Sequence, residues 1–108
     1  MQPRTQTFDA TTTPGPQEAI NLDYLPLTAT TVALWVDSGA TVAAVVEVTT
    51  DDVNDPAVTP RWFPLQDGPT TATAYARFFE PWRFLRLNIA SITGAVELKV
   101  AQAAELFR

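Results

Sequence analysis

Two stretches near the end of the chain alternate strictly between apolar and polar residues. In the first, Leu85, Leu87 and Ile89 alternate with Arg86 and Asn88. A period of two is typical of a β-strand that buries one face, because successive side chains point to opposite sides of a sheet. The stretch from 96 to 100 repeats the alternation. The residues predicted to face the core are Leu85, Leu87, Ile89, Val96, Leu98 and Val100.

Two apolar runs earlier in the chain also predict strands. Residues 31–37 and 41–50 are rich in β-branched side chains, and the turn residues Ser38 and Gly39 lie between them. This pattern favours a β-hairpin. The second run is apolar at nearly every position from Val42 to Val46, which indicates a strand that is covered on both faces for part of its length. Thr93 and Gly94 similarly predict a hairpin that joins the two alternating stretches.

The remaining elements of residues 31–108 are shorter. Residues 51–56 have turn chemistry, and residues 59–65 form a proline-bracketed strand expected at a sheet edge. Residues 71–79 suit a strand or a helix, and the tail from 101 to 108 is helix-friendly but too short to be stable alone. We therefore predict an all-β fold: one small β-sandwich or jelly-roll-like barrel of about seven to eight short antiparallel strands.

Residues 1–30 differ from the rest because prolines are interspersed with threonines. We predict an extended N-terminal arm with strand-capable pieces at residues 5–10 and 18–22, outside a domain of residues 31–108. Such an arm is expected to be mobile when free, to be required for partner binding and to be dispensable for folding. The residues predicted to lie in a partner interface are Phe8, Ile20, Leu22, Tyr24, Leu25, Trp62 and Phe107.

Composition narrows the classes of function. The chain is 46% apolar and 18% charged, which indicates a folded domain and not a disordered chain. A net charge of -5 with a single lysine leaves no basic stripe for nucleic acid. No apolar run approaches the roughly 20 residues of a membrane-spanning helix. The absence of cysteine and histidine removes thiolate ligands, cysteine nucleophiles and the commonest general base, so we expect neither a cofactor nor an enzyme.

Three residue groups still have a chemical interpretation beside a structural one. The acidic stretch from 51 to 55 offers oxygen ligands for calcium, although a solvated turn explains it better. Glu47 and Glu97 offer a carboxylate pair for glycoside hydrolysis, although each suits the wet face of a strand. The three tryptophans suit a sugar-stacking platform, although most are expected in the core or in a subunit interface; they are Trp35, Trp62 and Trp82.

A family resemblance rests on residues 45–100. A Glu-Val-Thr strand end at 47–49, the two aspartates 51 and 52 and the tryptophan-bearing strand 61–65 are followed by an Arg-Leu-Asn strand at 86–88. This order resembles short structural proteins of tailed bacteriophages. "Strand, Arg-Leu-Asn, strand" also occurs in discoidin-like sugar- and lipid-binding sandwiches, which are usually longer and mostly carry a disulfide.

The resemblance implies a capsid decoration or cement protein, or a head-fibre protein, that is often a trimer. Its partner would be the major capsid protein or another virion protein. It would be made in the cytoplasm of the host bacterium and would end on the capsid surface of the virion. Two alternatives remain: a carbohydrate- or host-surface-binding module or adaptor of a phage fibre or tail, and a small carboxylate-based hydrolase or lyase. Exposed tryptophans would favour the binding module.

Overall fold

The computed structural model describes residues 4–22, 29–65, 69–78 and 82–102, and these residues form nine β-strands. The strands are β1 (Arg4–Phe8), β2 (Gly15–Pro16), β3 (Ile20–Asn21), β4 (Thr30–Val36), β5 (Thr41–Thr49), β6 (Phe63–Pro64), β7 (Ala74–Phe78), β8 (Phe84–Thr93) and β9 (Val96–Gln102). The segment that suited a strand or a helix is therefore the strand β7. Short β6 lies at a sheet edge within the described part of the chain, as its flanking prolines predict.

The strands form two antiparallel sheets. The front sheet has the order β1-β9-β4-β7, and the back sheet has the order β2-β8-β5-β6, with β3 also paired to β8. The pairs are nested along the chain, because β1 pairs with β9, β2 and β3 with β8, β4 with β7, and β5 with β6. This nesting is the topology of a jelly roll. The predicted all-β sandwich is confirmed.

The core lies between the two sheets and is built from the alternating strands. All six residues predicted to face the core are buried, and Leu85, Leu87, Leu98 and Val100 are fully enclosed. Strand β5 also alternates: Val42 and Val46 are buried, while Ala43 and Val45 between them are half-buried on the outer face. The outer face of β5 is thus only partly covered.

Both predicted hairpins are wrong. Strand β4 lies in the front sheet and β5 in the back sheet, and β8 and β9 are separated in the same way. Each connection crosses from one sheet to the other. The two crossings lie side by side, where the backbone N–H of Asp37 donates to the carbonyl of Ala95 at 3.1 Å. Two consecutive strands that each have one apolar face can pair as a hairpin in one sheet, or they can lie in opposite sheets and face each other across the core. The local sequence is similar in both cases, so it does not decide between them.

The predicted separation of an N-terminal arm from the domain also differs from the structure. Strand β1 pairs with β9 from Arg4↔Val100 to Phe8↔Val96, and β3 pairs with β8. Phe8, Ile20 and Leu22, which were predicted to anchor a partner, are buried in the core. The prolines are compatible with this arrangement, since Pro16 lies in the short β2 at the margin of the back sheet. Residues 4–22 therefore belong to the sandwich.

Because the two crossings lie side by side, we expect alanine substitutions at Gly39 and Gly94 to lower the unfolding free energy by different amounts. Gly39 and Gly94 have φ of +83° and +81°, which disfavours any residue with a Cβ. A Cβ at Gly39 would meet nothing within 4 Å, whereas one at Gly94 would lie 2.7 Å from the Cβ of Ala40 and 2.8 Å from its Cα. We expect Gly39→Ala to cost about 1 kcal/mol of unfolding free energy and Gly94→Ala about 3 kcal/mol or more. Urea denaturation of both variants measures the difference, and equal costs would contradict the close approach.

Candidate interaction surface

The outer surface of the front sheet carries two exposed aromatic side chains. Trp35 on β4 is 59% exposed and Tyr75 on β7 is 80% exposed. Large aromatic side chains are usually buried in a small domain that lacks disulfides, so their presence on one sheet surface is informative. We call this surface the front face. Its outward residues are Thr5, Thr7, Thr31, Ala33, Trp35, Tyr75, Arg77, Glu97, Lys99 and Ala101.

The strand register fixes which of these side chains are neighbours. Glu97 is the Cα partner of both Thr7 and Trp35, so these three residues form one row across the sheet. Ala33 is the partner of Lys99 and Tyr75 in the adjacent row. Trp35 and Tyr75 are consequently diagonal neighbours on adjacent strands, at a spacing of roughly 7–8 Å that aromatic rings can bridge.

The indole of Trp35 is held at the end of β4. Its Nε1–H donates a hydrogen bond to Oδ1 of Asp37 at 2.9 Å. The backbone beside it is also fixed, because the N–H of Val36 donates to Oγ1 of Thr73 at 2.9 Å and the N–H of Asp37 bonds to Ala95. The ring is therefore exposed but oriented, which lowers the entropy lost when a partner covers it.

A groove runs beside this indole. It has an open volume of about 340 Å³, at the small end of the range for ligand sites. We call it the Trp35 groove. Its lining residues are Thr7, Phe8, Trp35, Asp37, Ala95, Val96 and Glu97.

Trp62 lies on the outer surface of the back sheet, where it contacts other side chains of the same chain. The guanidinium of Arg86 lies 4.1 Å from the centre of the Trp62 ring, and Nε of Arg86 donates to Oε1 of Glu47 at 2.7 Å. Asn88 contacts the other carboxylate oxygen of Glu47 at 3.4 Å. Half-buried Trp62 therefore stacks on a cation of its own chain. A role for Trp62 in a partner interface stays a prediction.

The tryptophans do not form a shared platform. Trp82 packs against the core and contacts the ring of Phe63, whereas Trp62 lies on the back sheet and Trp35 on the front face. Trp82 agrees with the expectation that most tryptophans lie in the core or in an interface, because it packs against the core. Trp35 departs from the core interpretation.

The carboxylate pair suggested for hydrolysis does not converge. Glu47 points outward from the back sheet beside Arg86, and Glu97 points outward from the front sheet between buried Val96 and Leu98. The two carboxylates therefore lie on opposite surfaces of the sandwich, whereas a catalytic pair must flank one bond at roughly 5–10 Å.

The acidic loop that follows β5 consists of local turns. Asp52 and Asp55 accept hydrogen bonds from the backbone N–H groups two residues ahead, at 2.9 Å each. Oδ2 of Asp51 accepts from the backbone N–H of Arg61 at 2.7 Å, and this hydrogen bond, with the Arg61 guanidinium, lowers the pKa of Asp51. Within residues 4–22, 29–65, 69–78 and 82–102, no three acidic side chains are grouped as metal ligands. These contacts favour the solvated-turn interpretation.

The residues predicted to lie in a partner interface do not form one surface in the structure. Phe8, Ile20 and Leu22 fill the core, and Trp62 covers Arg86. Tyr24, Leu25 and Phe107 lie outside the described residues. Trp35 and Tyr75 were not among the predicted interface residues, although the sequence offered Trp35 for a sugar-stacking platform. The alternation of β4 contained the signal for Trp35, because a strand that buries Val32 and Leu34 must turn Trp35 outward.

Fold and surface together place the chain in the class of small jelly-roll domains with an aromatic side chain fixed on one sheet face. Comparisons with protein families, curated proteins and solved structures found no match to the chain. In the part of the chain that the structure describes, no helix has the length and apolarity needed to cross a membrane.

Proposed function

We propose that this protein is a non-enzymatic structural domain that attaches to a larger protein assembly through its front face. The observation that carries this proposal is the exposure of Trp35 and Tyr75 as neighbours on one sheet. Tryptophan and tyrosine are enriched among the residues that dominate the energy of protein interfaces. Attachment of this kind requires buried area and complementary shape, and no chemical step.

The assembly that we propose is the virion of a tailed bacteriophage, on the basis of the sequence resemblance at residues 45–100. In that setting the domain is a capsid decoration or cement protein that binds the major capsid protein and bridges its subunits at the capsid surface. The same resemblance suggests a homotrimer. The jelly-roll topology is compatible with this role but occurs in unrelated proteins, so the front face supplies the stronger argument.

Substitution of Trp35 tests the proposed interface. We expect Trp35→Ala to weaken attachment to capsids that lack the protein by about 30-fold, which corresponds to the roughly 2 kcal/mol of a dominant interface residue. Co-sedimentation of purified protein with such capsids measures the affinity. Phe63→Ala is the matched control, because Phe63 is a half-exposed aromatic residue of the back sheet. Unchanged attachment of Trp35→Ala, or a larger loss in Phe63→Ala, would contradict the proposal.

A carbohydrate- or host-surface-binding module of a phage fibre or tail is the second candidate. The exposure of Trp35 favours this candidate by the criterion given for the tryptophans. The diagonal pair of Trp35 and Tyr75, with the carboxylate of Glu97 and the hydroxyl of Thr7 in the same row as Trp35, also supports it. Aromatic rings can cover the apolar face of a sugar while carboxylates accept hydrogen bonds from its hydroxyls. Specific binding to host polysaccharide, lost in Trp35→Ala while capsid attachment is absent in the wild type, would establish this candidate over the first.

A further inference from the structure

The Trp35 groove carries two carboxylates beside an exposed indole. Glu97 lies directly opposite Trp35 in the strand register, and Asp37 contacts the Nε1–H of the same indole. The other lining residues are uncharged. One wall of the groove is thus an aromatic ring, and the two charged side chains that line it are both carboxylates.

Neither carboxylate is neutralised by a described partner. The ion pairs found within the described ranges are Arg61 with Asp51 and Arg86 with Glu47, both outside the groove. The front face has two basic residues, Lys99 in the row adjacent to Glu97 and Arg77 opposite Thr31, and neither lines the groove. Asp37 accepts one hydrogen bond from Trp35, which leaves acceptor positions on its carboxylate for a second donor.

We propose that the Trp35 groove binds a cationic side chain, of arginine or lysine, that projects from the partner protein. This inference rests on the proposed function, because it names the chemistry by which the front face recognises its partner. A guanidinium can stack on the indole face of Trp35 while its N–H groups donate to the carboxylate of Glu97. The net charge of -5 additionally attracts a basic surface over longer distances.

Charge complementarity favours this occupant over the two obvious competitors. A neutral sugar would use the ring and accept or donate hydrogen bonds, but it would leave both negative charges uncompensated. A calcium ion requires about six to eight oxygen ligands, whereas the groove lining offers two carboxylates that flank an indole. An organic cation uses the ring and the charge together.

A titration of the intact protein with small cations tests the site. The probe is Nα-acetyl-arginine N-methylamide, and its matched control is the citrulline derivative, which has nearly the same shape without the charge. The readout is the ¹H–¹⁵N signal of the Trp35 indole, assigned by its loss in Trp35→Phe. We expect a saturable shift with the arginine derivative that weakens as salt is added, and no saturable shift with the citrulline derivative.

Two variants establish which side chains hold the cation. Glu97→Gln removes one carboxylate of the groove and is expected to lower the affinity for the arginine derivative by roughly three- to tenfold. Asp55→Asn removes one negative charge from the loop on the back sheet while leaving an acceptor for the hydrogen bond to Ala57, and it should leave the affinity unchanged. The two proteins carry the same net charge, so a difference between them is local.

The cation site and the capsid interface are tested by separate measurements, so each can fail without the other. Equal shifts with arginine and citrulline, or an unchanged affinity in Glu97→Gln, would overturn the cation site. Tighter saturable binding of methyl α-glucoside would also overturn it, in favour of a sugar site. If Trp35→Ala loses capsid attachment while the arginine derivative does not bind, the interface stands without the cation site. If the arginine derivative binds while Trp35→Ala attaches normally, the cation site stands and the capsid interface fails.

Discussion

A chain that starts at Thr28 is expected to be unfolded. It lacks β1, β2 and β3, and with them the buried side chains of Phe8, Ile20 and Leu22. Burial of each of these side chains contributes roughly 1.5–3 kcal/mol, so their combined loss approaches the net stability of about 5–15 kcal/mol typical of a domain. The shortened chain also leaves β8 and β9 without partners on one side.

Circular dichroism and thermal denaturation of the shortened chain measure this outcome. Phe8→Ala in the full chain is the milder companion, and we expect it to lower the unfolding free energy by about 3–5 kcal/mol. Thr7→Ala is its matched control, since Thr7 is the adjacent exposed residue of β1. Cooperative melting of the shortened chain with a β-type spectrum would restore the predicted arm and contradict the pairing of β1 with β9.

Leu87→Ala is expected to lower the unfolding free energy by roughly 2–5 kcal/mol. Leu87 is fully buried in the middle of β8, opposite Val46 of the neighbouring strand, and its truncation leaves a cavity between the sheets. Arg86→Ala removes the partly buried ion pair with Glu47 and the stacking on Trp62, and should cost less, about 1–2 kcal/mol. Urea denaturation of the two variants under the same conditions gives both values.

The order of the two costs tests the register of β8. A shift of one residue exchanges the inner and outer faces of a strand, so it would place Arg86 in the core and Leu87 in solvent. A larger cost for Arg86→Ala than for Leu87→Ala would therefore show that the register of β8 against β5 is wrong.

The sequence alone predicts the strands and their inward faces well, because both follow from local alternation. Leu85, Leu87 and Ile89 face the core as their spacing from Arg86 and Asn88 requires. The sequence alone does not reveal which strands share a sheet. Gly39 and Gly94 mark reversals of the chain, and a positive φ suits a crossing between sheets as well as a hairpin. The choice depends on contacts between strands that are distant in sequence.

The N-terminal residues were misinterpreted because their local composition differs from their tertiary role. Prolines and threonines argue for an extended segment, and residues 4–8 are extended. The pairing of this segment depends on β9, which lies at the other end of the chain. Trp35 was left out of the predicted interface for a different reason: the size of its side chain favoured burial, while its position between Leu34 and Val36 placed it outward.

The nested pairing has a consequence for synthesis on the ribosome. Strand β1 leaves the ribosome early, yet its partner β9 contains Val96 to Gln102 and emerges late. During elongation the edge of β1 that pairs with β9 has no hydrogen-bonding partner, and Phe8 faces solvent or a transient contact. Completion of the front sheet must therefore follow translation of β9, and contacts so distant in sequence slow the search for the native state. Until then the nascent chain presents unpaired strand edges, which are open to pairing with other chains.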